Sequence, residues 1–299
     1  MNDDPFADFS DETLPVLRPR DLLRNRARQR STDVAGLSDV GLVREQNQDS
    51  FLIADLGRWL EVSDSNLPVP EVSRRIAGPQ GLLMIVADGM GGHGGGEVAS
   101  AVAVDTLANF ALNAMPWMSR PDDQTAKELL VQLGDAFAQC QARLQQVAVR
   151  KSMEHHQMGT TLTVAYALWP KLYVVHAGDS RCYLCRDGEL VQVTTDHTVG
   201  QVLRDSGAIG GPSRFDHVLV NAVGGGDDRV NAEAHSLSLA AGDTVLLCSD
   251  GLTGHVSDPE IRAKLAGAES ARAACAALVQ AAKDGGGQDN VTVVVASFE

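Results

Sequence analysis

Aromatic side chains are scarce: three Trp, three Tyr and seven Phe among 299 residues, 4% in all. The core that 44% hydrophobic content allows must therefore be mostly aliphatic. Positive charge is short as well. Twenty-five Lys and Arg face 39 Asp and Glu, a formal net charge of −14. That average field repels duplex nucleic acid and anionic membranes, so neither is an expected partner; it attracts cations. No apolar run approaches the roughly 18 residues of a membrane span, and the N-terminus lacks the apolar core of a signal peptide. The expected location is the cytoplasm. Cysteines number five, odd and scattered, which argues against a disulfide framework. Cys182 and Cys185 have the C-x-x-C spacing of zinc and redox sites, but they lie in the strand-like "RCYLCR". Residues three apart on a strand point to opposite faces, and no second pair follows, so two packed thiols are expected.

Residues 1–32 read as a disordered tail. "MNDDPFADFSDE" is acidic, "RPRDLLRNRARQR" is basic, and neither has much to bury. A short docking helix near residues 19–29 is the alternative. Residues 33–299 read as one domain. "DSFLIAD" and "GLLMIVAD" read as strands, with residues 56–80 as an inserted excursion between them. Two long segments, 96–115 and 123–151, repeat apolar residues every three to four positions and predict a helical hairpin. "TTLTVAYAL", "KLYVVHAGD", "SRCYLCR" and "ELVQVT" follow as strands joined by short turns. One turn is Asp187-Gly188, a strong hairpin signal. The pattern predicts an antiparallel meander with helices outside, an α+β fold. Residues 204–228 are dense in glycine between ordered elements and read as a mobile surface flap.

The segment "LLMIVADGMGGHGGGEVAS", residues 82–100, carries the first chemical signal. An apolar strand ends at Asp88, six of the next eight residues are glycine, and a helical pattern begins. Gly89, Gly91 and Gly94 fit G-x-G-x-x-G, the dinucleotide fingerprint. Asp88 stands where a pyrophosphate would lie. The later strands are hairpins rather than crossovers, and no acidic residue ends a second parallel strand about 20 residues on. Other aspartates are placed like Asp88. Asp179 and Asp250 end apolar strands, Asp289 precedes one, and Asp49 opens one. A single such Asp is ordinary turn chemistry. Five at one sheet edge would repel one another unless cations lay between them. An all-oxygen set suits Mg²⁺ or Mn²⁺, and a cation there reconciles Asp88 with a phosphate.

Seven motifs then fall in order: "REQNQD" (44–49), "VADGMGGHGGGEVAS" (86–100), "GTTLTVA" (159–165), "HAGDSRCYL" (176–184), "TTDHT" (194–198), "LLCSDGLTGHV" (246–256) and "GGQDNVTVVV" (286–295). Their order resembles that of the metal-dependent serine/threonine protein phosphatases of type 2C, the PPM family, in bacterial form. The resemblance covers about residues 33–298. It implies an αββα four-layer sandwich, two packed antiparallel sheets flanked by helices. It implies hydrolysis of phosphoserine and phosphothreonine in proteins, by attack of a water bridging two Mn²⁺ or Mg²⁺ ions. It implies phosphoprotein partners, among them a Ser/Thr kinase or its targets, and we expect a monomer.

Residue by residue, the resemblance makes Asp88 the bridging ligand. Asp250 and Asp289 would complete one metal, the Gly89 carbonyl would bind the other, and Asp179 would help hold a third, weaker one. Asp49 would orient metal-bound water and Arg44 would grip phosphate, for which its planar fork is suited. Thr161 and Asn290 would be supporting residues. Two positions depart from relatives. Gln48 stands where many have Glu, so that position adds no charge. Met90 stands where animal members have a general-acid His, and Met cannot donate a proton. His93 is the candidate donor, against the plainer reading of a loop histidine without a role. His155 and His156 read as solvated loop residues.

Overall fold

The structure is a computed structural model that describes residues 32–61, 74–92, 94–113, 123–151, 158–226 and 229–299. The expected tail lies outside these residues except for Thr32, which opens the first strand.

The strands are β1 (Thr32–Asp39), β2 (Asp49–Glu61), β3 (Arg74–Met90), β4 (Gly159–Thr160), β5 (Leu162–Leu168), β6 (Lys171–Ala177), β7 (Arg181–Arg186), β8 (Glu189–Gln192), β9 (Val223–Gly224), β10 (Glu233–Ser238), β11 (Thr244–Cys248) and β12 (Val291–Phe298). The helices are α1 (Gly95–Asn113), α2 (Asp123–Arg150), α3 (Val199–Asp205), α4 (Asp250–Thr253), α5 (Asp258–Ala266) and α6 (Ala271–Asp284). Among the described residues the strands form two sheets, and every named pairing is antiparallel. One runs β1-β12-β11-β7-β8. The other runs β10-β6-β5-β3-β4-β9, with β2 also paired to β3.

Side-chain alternation along the strands builds the layers. On β3, Leu83, Ile85 and Ala87 face outward and pack with Leu107 and Phe110 of α1 and Leu133 and Phe137 of α2. Leu82, Met84 and Val86 face inward, against Val245, Leu247, Val294 and Ala296 of the other sheet. On β12, Val291, Val293 and Val295 pack with Leu252, Ile261 and Leu278 from α4, α5 and α6. Three apolar layers thus separate four layers of elements, the αββα sandwich expected. Fully burying one Val, Leu or Ile contributes about 1.5–3 kcal/mol, and the cores hold dozens of apolar side chains. Strands covered on both faces read as continuous apolar runs, which is why β3, β5 and β12 stand out in the sequence.

Cys182 joins the core between the sheets and Cys185 the core beneath the helices, opposite faces of one strand. All five cysteines are free and buried. The Asp187-Gly188 turn joins β7 to β8 with φ of 51° and 78°, the left-handed pair such a turn needs. Residues 56–80 differ from the inserted excursion expected. Residues 56–61 continue β2 and 74–80 belong to β3, paired as far as Glu61↔Arg74, so the segment extends a hairpin. Its tip, 62–73, lies outside the described residues.

Candidate functional site

The expected aspartates gather where corresponding ends of the two sheets meet. Asp49 opens β2 and is the register partner of Asp88 on β3. Asp250 opens α4 directly after β11, and Asp289 lies two residues before β12. Strands β11 and β12 are neighbours in the other sheet. Two hydrogen bonds tie the sheets together at this end. The Ser249 hydroxyl donates to Asp49 Oδ2 at 2.8 Å, and the Gln48 N–H donates to Asn290 Oδ1 at 2.8 Å. Asn290 Nδ2 also donates to the Val40 and Gln46 carbonyls, 3.0 Å each, so one buried amide holds the loop that carries Arg44. Asp179 lies between β6 and β7, where the chain passes from one sheet to the other, and is buried.

The backbone of Asp88 is held from both sides. Its N–H donates to Thr161 Oγ1 at 3.0 Å, and its carbonyl accepts from Thr161 N and Thr160 Oγ1, 2.8 Å each. Thr161 Oγ1 also shares a 2.7 Å hydrogen bond with Ser180 Oγ. Gly89 must be glycine, because a Cβ there would run into the Gly96 carbonyl and come within 2.6 Å of the Gln48 carbonyl. The glycine loop therefore brings the first turn of α1 back against the end of β3. The Gln48 amide reaches over it, 3.5 Å from the Gly91 carbonyl. Every paired neighbour of β3 is antiparallel, which removes the dinucleotide reading of this loop. His93, His155 and His156 lie outside the described residues.

Burial and mutual repulsion make the carboxyls reluctant to ionise together. Burial first, then the charges of Asp49, Asp250, Asp179 and Asp289, push Asp88 well above the usual carboxylate range. Burial and Asp289 raise Asp250, whose carboxyl is within hydrogen-bonding reach of Asp88. Burial raises Asp49 to about 6, against the hydroxyls of Thr292 and Ser249. Burial, Asp250 and Asp196 raise Asp179 to about 8. Arg44 stands at the exposed rim with Nη2 2.7 Å from Asp289 Oδ2.

Asp49 Oδ1 is buried and has no hydrogen-bond partner. An orphaned carboxylate oxygen beside other carboxyls fits a site for a hard divalent cation, where it would meet the cation or a water bound to it. The residues that could hold one are Asp88, Asp250, Asp289, the Gly89 carbonyl and Asp179. Their oxygens are not drawn as tightly as another set. Among the described residues, His176, His197 and Glu233 bring ligand atoms within 4.8 Å of one another. That trio is already satisfied. His176 bonds Thr163 and Gly178, and Glu233 accepts twice from Thr195.

Several participants are not marked by the strand-end pattern or the motif order. Ser249 and Asn47 orient Asp49, the latter by accepting from its N–H at 3.1 Å. Arg181, of "GDSR", forks onto Asp196, of "TTDHT", at 2.8 and 2.6 Å, and also donates to Tyr183. Opposite charges in adjacent motifs were the available signal. The expected flap is tied to α3. Arg204 pairs with Asp216, the Gly200 N–H donates to the Phe215 carbonyl at 3.0 Å, and the Val199 N–H to the Val218 carbonyl at 2.8 Å.

A sandwich with an acidic seam at one end and an arginine on its rim defines a class, and comparison with known proteins agrees. The family model described as protein phosphatase 2C matches residues 74–292. The chain belongs to that family. It is 38% identical over 267 residues to the serine/threonine protein phosphatase PstP of Mycobacterium tuberculosis, an alignment covering 88% of this chain and 44% of that protein. The chain thus aligns with under half the length of that relative. It is 32% identical over 217 residues to the serine/threonine phosphatase stp of Listeria welshimeri, covering 71% of this chain and 83% of the relative. A solved structure of the PstP catalytic domain in complex with two manganese ions superposes with a TM-score of 0.69 at 34% identity, covering 89% and 97% of the two chains.

Proposed function

We propose that residues 33–299 form a metal-dependent phosphatase acting on phosphoserine and phosphothreonine in proteins. The observation that carries this reading is the seam itself: Asp49, Asp88, Asp179 and Asp250, delivered from both sheets, each raised by burial and by neighbouring carboxyls. Relatives named as serine/threonine phosphatases and the manganese-bound neighbour support it. In this reading Asp88, Asp250, Asp289 and the Gly89 carbonyl hold two Mn²⁺ or Mg²⁺ ions, and Asp179 a third and weaker one. When bound, the paired cations supply positive charge to the phosphoryl oxygens and lower the pKa of the attacking water.

The chain's own residues do the rest. Asp49, fixed by Ser249, accepts a proton-bearing hydrogen bond from that water and aims it. Arg44 exchanges Asp289 for the phosphoryl oxygens of the substrate and neutralises charge as the bond breaks. Thr161 and Asn290 keep Asp88 and the Arg44 loop in place, and Gln48 orients water by its amide without adding charge. Met90 cannot protonate the departing alkoxide, which leaves His93 as the donor to test.

We further propose that the protein works as a monomer in the cytoplasm, on targets of a Ser/Thr kinase. Five unpaired, buried cysteines suit a reducing compartment. Among the described residues no helix is long and apolar enough to cross a membrane. The test is phosphate release from a phosphothreonine peptide by the full chain with Mn²⁺ and by Asp88→Asn. Release that is equal in both proteins, or undiminished in EDTA, contradicts the reading.

A further inference from the structure

Gly178, the residue before Asp179, is held on every side. Its φ is +120°, and a Cβ there would lie 2.5 Å from Thr161 Cβ. Its carbonyl accepts from the His197 N–H at 2.7 Å and bonds His176 Nε2 at 2.9 Å. Its N–H donates to His197 Nδ1 at 3.2 Å. That bond sets the His197 tautomer: Nδ1 is an acceptor and the proton lies on Nε2, which points at Glu233 Oε2, 3.5 Å away. Burial raises Glu233, but hydrogen bonds from His197 and Thr195 outweigh it, and the carboxyl falls to about 2. A charged partner of this kind keeps the proton on Nε2 and Nδ1 free to accept.

The same histidine holds the end of the flap. Its carbonyl accepts from the Val220 N–H at 2.9 Å, and its Nδ1 accepts a second donor, Asn221 Nδ2, at 2.8 Å. Asn221 is fixed in turn by two bonds to the Asn231 backbone, which determine which end of its amide faces the ring. One side chain therefore grips the turn that carries Asp179 and the strand-like exit of the flap.

We propose that His197 is a positioning residue that sets the Asp179 turn and couples it to the flap, so that cation binding at Asp179 and substrate engagement by the flap depend on one another. The proposal rests on the reading of Asp179 as a ligand for the weaker cation. Partners that orient a ligand typically change metal affinity about 10–100-fold when removed.

Three readouts on the full chain separate the outcomes. Amide hydrogen exchange without metal reads the clamp alone: His197→Ala should speed exchange at both 177–180 and 219–222, and His197→Asn, whose amide oxygen takes the place of Nδ1, should restore protection at both. Mn²⁺ binding by calorimetry should show the weak class lowered about 10-fold or more in His197→Ala, with the tight pair retained. Asn221→Ala, which leaves the ring in place, should raise KM for a phosphopeptide more than for an aryl phosphate and should weaken the weak Mn²⁺ class. A folded His197→Ala chain with unchanged weak binding overturns the proposal. So does an Asn221→Ala chain that loses protection at 219–222 with both Mn²⁺ classes intact. If His197→Ala does not fold, the Asn and Asn221 variants decide between these results. If the wild-type chain shows no weak Mn²⁺ class, the reading of Asp179 fails, while the exchange data still report whether the clamp exists.

Discussion

Ser249 donates its hydroxyl proton to Asp49 at 2.8 Å across 200 residues of chain, from the end of β11 in one sheet to the start of β2 in the other. Ser249 Oγ itself accepts from the Thr292 N–H at 2.9 Å, which leaves the hydroxyl one direction in which to point. The bond fixes one oxygen of Asp49 and leaves the other, buried and unpartnered, aimed by the first. Ser249→Ala should therefore lower kcat more than it raises KM for an aryl phosphate. A neutral donor lost beside a charged acceptor is worth about 1.5–3 kcal/mol, or roughly 10–100-fold in rate. Steady-state kinetics on the folded variant check this, and an unchanged kcat would remove Asp49 from water orientation.

The carboxyls should rank by what they hold. In the proposed mechanism Asp88→Asn, Asp250→Asn and Asp289→Asn would each remove a ligand charge at the reacting centre, and each should cost at least about 10²–10³ in kcat, the loss typical of one charge-stabilising group. Asp179→Asn should cost less and recover at high Mn²⁺. Rates across a Mn²⁺ titration, with circular dichroism to confirm folding, give the ranking.

Stability in EDTA should fall as pH rises from about 6.5 to about 8. Asp179 is raised to about 8 when folded, above the roughly 3.9 of an unfolded Asp. Such a group contributes stability that is fully present below the unfolded value and is lost as pH climbs through the folded one. Asp49, raised to about 6, has the same sign in a lower window. His176, held down at about 4 by burial first and then by His197, works oppositely: its contribution is lost only as pH falls below about 6.5. The range from about 6.5 to about 8 therefore reports Asp179. Melting temperature should drop across it in EDTA, drop less in Asp179→Asn, and be restored by Mn²⁺ most strongly at the upper end.

The flap should matter for proteins more than for small esters. Asp216 takes the Arg204 guanidinium and the Ser213 N–H, so it ties the loop to α3. Asp216→Ala should raise KM for a phosphopeptide several-fold and leave KM for an aryl phosphate nearly unchanged. Equal effects on both substrates would remove the flap from recognition.

Much of this architecture is legible along the chain. The alternation and apolar runs of β3, β5, β6, β11 and β12, and the three-to-four spacing of α1 and α2, come from burial on known faces, and burial acts on every residue of an element at once. The opposite facing of Cys182 and Cys185 follows from strand period alone. Apolar runs were enough to expect the aspartates at strand ends, because strand ends are set locally by such runs and by turn residues. The strand pairing of 56–61 with 74–80 was not legible, because that hairpin extension lacks the apolar alternation that marks a half-buried strand. The four-residue α4 spans barely one helical turn, too short to repeat an apolar period. The grip of Asn290 on the Arg44 loop, the Arg181–Asp196 fork, the Ser249–Asp49 bond and the hold of His197 on Gly178 join residues from different elements. Such contacts depend on how two twisted sheets stack and where a loop returns. Each is a distance of about 3 Å that periodicity cannot specify, and only the packed tertiary structure decides it.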